Sequence, residues 1–331
     1  MPQPRFRERS IVFANGSVGR NLDVPSANPI NYFEAISRPA DMARVTIDGK
    51  LFLPPARRLT TPAPLVIVVP GSLGVAASHL AHAEALTGVG IAACVLDPFG
   101  ARGVGSTVAN QTQYAFAASA YDVLAAWKVL SARAEIDATR IGAQGHSRGG
   151  SAVLSAATRR FADPAVGSGN GLKAVLAAYP WSGHQFLDPA VGDTEIRVLM
   201  GDRDAWCSPM QVQGHVQAIR LTGGKAALKL FGGAAHSFDR ATPLERIEDA
   251  SVSPAALTAY IADDGAFIHP LQGAPDPRLT DRDLMVLALK SGYGVKGATI
   301  GSRGEEASLF RADMIAYWQR TLQPMGDNSP P

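Results

Sequence analysis

The chain has 331 residues, 46% of them hydrophobic, enough to bury a core as one large domain or two small ones. Its 31 basic and 29 acidic residues leave a net charge of +2, so no long-range field draws it to nucleic acid or to an anionic membrane surface. Two cysteines, Cys94 and Cys207, exclude a disulfide framework and point to a reduced, cytoplasmic setting. No apolar run reaches the roughly 18 residues of a spanning helix, and none follows Arg5, Arg7 and Arg9 to make a secretory signal.

Residues 1–42 are polar and rich in Asn and Pro, and Pro25, Pro29 and Pro39 predict an irregular arm ahead of a single domain over 43–331. Val45 and Ile47 alternate with polar neighbours, as do Leu51 and Leu53, and Asp48-Gly49 between them predicts a hairpin turn. A proline-punctuated loop follows over 54–64. From Leu65 the pattern changes to short apolar runs, at 65–69, 91–96, 172–179, 196–200 and 227–231, alternating with helical segments at 78–87, 116–130 and 211–221. In the second helix Phe116, Ala120, Val123, Leu124, Trp127 and Leu130 form one stripe. That alternation predicts an α/β fold with a mostly parallel sheet covered on both faces. The region 240–289 is less regular, and a helix is predicted over 305–322 with Phe310, Met314, Tyr317 and Trp318 on one face. The stretch 241–331 therefore reads as an extension packed on the same core.

One stretch stands out. Arg140 to Gln144 are strand-like, Gly145-His146-Ser147-Arg148-Gly149 fits G-x-S-x-G, and Gly150 to Ala157 are small helix formers. That order of strand, glycine-flanked serine and helix is the nucleophile elbow, in which the serine sits at a strained turn. A serine hydroxyl needs a base to take its proton and donors to hold the oxyanion that follows. In open α/β sheets such partners lie in loops at the carboxyl ends of strands, in the chain order Ser, Asp or Glu, His.

Gly201-Asp202-Arg203-Asp204 follows one predicted strand and Gly232-Gly233-Ala234-Ala235-His236 follows the next. Of the histidines beyond that carboxylate pair, His215 falls inside a helix and His269 in the irregular region, which leaves His236 as general base. Asp204 is the preferred orienting acid, with Asp202 as the alternative. The second oxyanion donor, beside the Arg148 amide, should come from Pro70-Gly71-Ser72-Leu73-Gly74; Ser72 is the choice, with Leu73 next.

Other features carry less. Trp181, His184, Phe186 and Trp206 follow strands on the same side, where they line an apolar acyl pocket or close the core. Gly100, Gly103 and Gly105 lack the Lys-Ser/Thr of a phosphate loop. His79 and His82 share a helix face without an acid or cysteine nearby, and read as surface residues. Cys94 reads as a buried thiol and Cys207 is assigned no chemistry.

Together the motifs at 70–75, 145–149, 201–204 and 233–238 resemble those of the dienelactone hydrolase family of α/β-hydrolases, over roughly residues 65–240. The resemblance implies an eight-stranded sheet with one antiparallel strand and hydrolysis of ester bonds in small molecules through an acyl-enzyme. Dienelactone hydrolases proper carry a cysteine where this chain has Ser147 and a glutamate where it has Gly71, so a serine carboxylesterase is favoured over dienelactone hydrolysis. The family also binds a substrate carboxylate with two arginines. Arg240, in His236-Ser237-Phe238-Asp239-Arg240, matches one, and Arg102 stands near the other, which implies a preference for acid-bearing esters. The expectation is thus a metal-free, cofactor-free hydrolase of a small-molecule ester, with a homodimer left open. A serine peptidase or amidase and a non-catalytic binding protein of the same fold are the alternatives.

Overall fold

The computed structural model describes residues 5–323, so that the outermost parts of the arm and of the C-terminal extension lie outside it. The elements begin with β1 (Arg20–Asn28), α1 (Tyr32–Ser37), β2 (Ala43–Phe52), β3 (Ala63–Val69), α2 (Ala77–Gly88), β4 (Ala92–Asp97) and α3 (Phe116–Ser131). They continue through β5 (Ile136–His146), α4 (Arg148–Ala157), α5 (Arg159–Val166), β6 (Ala174–Ala178), β7 (His184–Phe186), β8 (Glu195–Gly201), α6 (Pro209–Leu221) and β9 (Ala226–Phe231). The chain ends with β10 (Glu245–Val252), β11 (Ala259–Ile261), β12 (Phe267–Ile268), β13 (Pro275–Asp276), α7 (Asp281–Lys290), β14 (Val295–Ile300) and α8 (Glu306–Leu322).

The apolar runs become the middle of one eight-stranded sheet, ordered β1-β2-β4-β3-β5-β6-β8-β9. Leu65, Val66, Ile67 and Val68 of β3 are wholly buried, as expected of a parallel strand covered on both faces. β2 is antiparallel to both of its neighbours and every other pairing in the sheet is parallel, so a single strand runs against the rest. The α3 stripe packs on the sheet with Phe116, Ala120, Val123, Leu124 and Leu130 buried. The helix expected over 305–322 is α8, and its Phe310, Met314, Tyr317 and Trp318 are buried. Trp318 donates to Gln144 Oε1 at 2.9 Å, and a Cβ on Gly142 would lie 2.4 Å from the Trp318 ring, so this glycine lets the helix seat on β5.

Three expectations are corrected. The arm is not irregular throughout: β1 is nine residues long and includes Pro25. It lies at the sheet edge, where the missing N–H of proline costs no ladder bond on the open side. Asp48-Gly49 is not a turn but the middle of β2, which pairs on both sides. Asp48 is buried there because Arg5 reaches its carboxylate at 2.9 Å and Arg7 at 3.5 Å. The region 240–289 carries a two-stranded sheet of β10 with β14, a four-stranded sheet ordered β13-β12-β11-β7, and α7. No helix among the described residues is long and apolar enough to cross a membrane.

Candidate active site

Strand β5 delivers Ser147 at a turn so tight that only glycine fits on either side. A Cβ on Gly145 would come 2.0 Å from the Gly149 carbonyl oxygen, and one on Gly149 would come 2.4 Å from that of Val69. Ser147 itself takes φ 55°, ψ −116°, a conformation that L residues rarely adopt, and it heads α4 directly. Its amide donates to Ala178 O at 2.9 Å, which ties the strained turn to the end of β6.

The loops after β8 and β9 meet it. His236 Nε2 lies 2.9 Å from Ser147 Oγ, and His236 Nδ1 lies 2.7 Å from Asp204 Oδ2. The other oxygen of Asp204 accepts from the amides of Trp206 at 2.8 Å and Cys207 at 2.9 Å, so the carboxylate is fixed before it meets the imidazole. Asp202 turns away and accepts from Gly233 N at 2.7 Å. Of the two candidate acids, Asp204 is the one brought to His236. His215 lies buried against Ser182 Oγ, at 3.3 Å.

The loop after β3 closes over the elbow: a Cβ on Gly71 would sit 3.1 Å from Ser147 Cβ, and Ser72 borders the same cavity as Ser147. Among the described residues, neither the Ser72 nor the Arg148 amide donates to a protein acceptor. The Arg148 side chain, which the sequence left without a task, braces the segment 111–119. Nε donates to Ser119 Oγ, Nη1 to Gln111 O and Nη2 to Tyr114 O, and its guanidinium lies 4.0 Å from the Phe116 ring centre.

Trp181, His184 and Trp206 line the main cavity beside Ser147, and Trp206 stacks on the His236 ring at 5.2 Å. Phe186 is instead a core residue, set edge-on to Tyr32. Arg240 borders a smaller recess together with Ser147, His236 and Tyr179, and its Nε is buried with no partner.

Arg102 is corrected: it does not reach the cavity. Its five N–H donors are spent on Asp122 (2.8 and 3.0 Å), Asn28 Oδ1, Pro98 O and Ala27 O, which lock α3 to β1. A guanidinium so engaged has no donor left for a substrate carboxylate.

His79 and His82 are corrected as well, since both are buried. His79 Nδ1 accepts from the Ala76 amide at 2.9 Å, and His82 belongs to a polar chain under the elbow that sequence spacing did not show. Trp318 donates to Gln144, whose amide nitrogen lies 3.0 Å from His146 Nε2. His146 Nδ1 lies 3.0 Å from Tyr179 O–H, which donates to Asp239 Oδ1 at 2.6 Å, and His82 Nε2 is 2.8 Å from Asp239 Oδ2. Because Tyr179 gives its proton to Asp239, it accepts from an Nδ1–H of His146, and His146 Nε2 accepts from Gln144. Burial pushes the His146 imidazole below its ordinary pKa, in keeping with this neutral form. Asp239 is three residues past His236, so the chain fastens the histidine loop to α2 and β6.

Two sets of side chains bring metal-type ligand atoms within 4.8 Å of one another: His82, His146 and Asp239, and Asp204, Cys207 and His236. In each set one histidine is hydrogen-bonded to the carboxylate, His82 to Asp239 and His236 to Asp204, and the other contacts are those described above. Burial pushes the Cys207 thiol well above its ordinary pKa, and the Asp204 charge adds to this, so it stands beside Ser147 as a protonated thiol.

A mostly parallel sheet with a serine elbow at the end of β5 and acid and imidazole loops after β8 and β9 is an α/β-hydrolase. The dienelactone hydrolase family model matches residues 47–260, and the chain belongs to that family, a hydrolase acting on ester bonds. Among solved structures, m3DLH aligns with TM-score 0.52 at 18% identity, over 82% of this chain and 95% of that one. A dienelactone hydrolase-like promiscuous phosphotriesterase from metagenomic libraries aligns with TM-score 0.48 at 15% identity, over 82% and 95%. Esterase 2 of Thermogutta terrifontis aligns with TM-score 0.46 at 16% identity, over 64% and 86%. No curated protein matches the chain.

Proposed function

We propose that the protein is a serine carboxylesterase of small-molecule esters, with Ser147 as nucleophile. The observation that carries this reading is the unbroken line from Asp204 through His236 to Ser147, at 2.7 and 2.9 Å. Ser147 Oγ attacks the ester carbonyl carbon as His236 Nε2 takes its proton, and Asp204 holds the imidazole in the Nδ1–H tautomer and stabilises the imidazolium. The Ser72 and Arg148 amides, free of protein acceptors, donate to the oxyanion of the tetrahedral intermediate. On collapse His236 returns the proton to the departing alkoxide, which leaves as the alcohol. Water, deprotonated by the same imidazole, then attacks the acyl-Ser147 carbonyl; the second intermediate expels Ser147, which regains its proton, and the carboxylic acid departs.

A serine-directed fluorophosphonate is expected to add one phosphonyl group to Ser147, located by peptide mass spectrometry, and to abolish p-nitrophenyl ester hydrolysis in step with labelling. Full activity on a fully labelled protein, or label on another residue, rejects the reading. Turnover of the matching anilides at rates equal to the esters would favour an amidase.

Arg240 is the one arginine of the proposed pair that remains in place for a substrate acid group, its Nε unpartnered at the recess beside Ser147. Arg240→Ala should lower kcat/KM for a monoester of a dicarboxylic acid by about tenfold relative to its neutral diester, the magnitude of one charge-assisted hydrogen bond. An unchanged ratio between the two esters removes Arg240 from substrate binding.

A further inference from the structure

The cavity beside Ser147 is walled on its far side by Leu284, Met285 and Ala288 of α7, beyond residue 260 where the family match ends. At about 160 Å³ it has room for one six-membered ring, since a cavity of roughly 150 Å³ holds benzene. Its lining is mainly apolar. Among its polar side chains two hold a buried atom with no partner, His184 and Asp281, and neither takes part in the reaction described above.

Asp281 opens α7, and its Oδ2 accepts from the amide of Phe116 at 2.7 Å. Its Oδ1 is buried with no hydrogen-bond partner and lies 3.5 Å from His184 Nδ1, which is buried and unpartnered too. The imidazole is held by rings: Trp181 at 4.6 Å, Phe267 at 4.7 Å and Phe116 at 5.5 Å between centres. Among the described residues His184 Nε2 has no protein partner either. A core site would be served better by a phenylalanine here, because buried polar atoms without partners cost roughly 1–3 kcal/mol each. A polar pair placed in a ring-sized apolar cavity is instead the arrangement that orients a ligand.

The chemistry of the pair selects the ligand group. A carboxylate facing Nδ1 favours the tautomer with its proton there, which leaves Nε2 as a lone-pair acceptor. Burial pushes His184 down to about 3, so the ring is neutral, and pushes Asp281 up to about 6, so the carboxyl is ionised in mildly alkaline solution. An acceptor takes a hydrogen-bond donor, not an ether or a carboxylate. The Arg148 charge acts on both groups and disfavours a cation, which leaves a neutral donor such as a hydroxyl.

We infer that His184, oriented by Asp281, accepts a hydrogen bond from a hydroxyl on the ring-sized body of the substrate. The protein's preferred esters are then hydroxylated aromatic or alicyclic ones. This rests on the esterase reading for catalysis, but not for binding, and the test separates the two.

At pH 8, kcat/KM is measured for p-nitrophenyl esters of 4-hydroxyphenylacetic, 4-methoxyphenylacetic and phenylacetic acids. The hydroxylated ester should exceed the methoxylated one by at least ~10-fold, the value of one hydrogen bond. In His184→Phe that ratio should fall to about 1. His184→Gln, which keeps an acceptor oxygen, should retain part of the preference, and serves as well if the phenylalanine variant does not fold. Binding of 4-ethylphenol and 4-ethylanisole to the wild type and to the His184 variants is followed by calorimetry. Hydrolysis without a hydroxyl preference, or a preference unmoved by either His184 variant, overturns this inference and leaves the esterase reading intact. Binding of the phenol that depends on His184, in a protein that hydrolyses none of the esters, supports the recognition point and rejects the esterase reading. Equal binding of phenol and anisole in the wild type overturns the recognition point whatever the activity.

Discussion

Ser147→Ala is expected to lower kcat for every ester the protein hydrolyses by roughly 10⁵-fold or more, the loss seen when a serine nucleophile is removed from a hydrogen-bonded triad. The fold should survive, because alanine keeps the Cβ that occupies the φ 55° turn and gives up only the hydroxyl bonded to His236. Circular dichroism and the thermal midpoint should therefore match the wild type while product formation falls to near background. Turnover within tenfold of wild type would mean that the carbonyl is attacked by some other group, and the mechanism above would have to be abandoned. The protonated thiol of Cys207, close by, is no substitute nucleophile.

Asp204→Asn should cost roughly 10⁴ in kcat with much smaller effect on KM. Oδ1 would go on accepting from the Trp206 and Cys207 amides if the carbonyl end of the new amide faces them. Its NH2 end would then face His236 Nδ1 and drive the imidazole into the tautomer that cannot accept from Ser147. Asp202→Asn is the control, since Asp202 meets only the Gly233 amide. It should stay within a few-fold of wild type, because an asparagine oxygen serves that amide too. Equal losses in the two variants would assign the orienting task wrongly.

What could be read from the sequence was what lies directly after a strand. Asp204 and His236 each follow an apolar run and Ser147 a strand-like stretch that ends in the G-x-S-x-G motif, so their placement at one end of the sheet was a local matter of counting. Arg102 follows a strand as well, yet its fate was set by Asp122 on α3 and Asn28 on β1, which no spacing reveals. Asp48-Gly49 carried a sound turn signal that lost to tertiary structure: with strands on both flanks, pairing along β2 outweighs the local preference. The pairs β11 to β13 are two or three residues long, too short for any period to register. His82 looked superficial because the partner that lets it be buried, Asp239, is 157 positions further on.

The far wall of the cavity has a consequence of its own. Ser147 stands on the inherited sheet, whereas Met285 and Leu287 face it from a helix outside the stretch that the family shares. A change of side chain on that helix reshapes the space offered to a guest without touching the strained turn or the strands beneath it. What the molecule admits can thus be retuned by substitution in one short segment while the reacting groups keep their places, which makes α7 the natural target for altering its range of substrates by design.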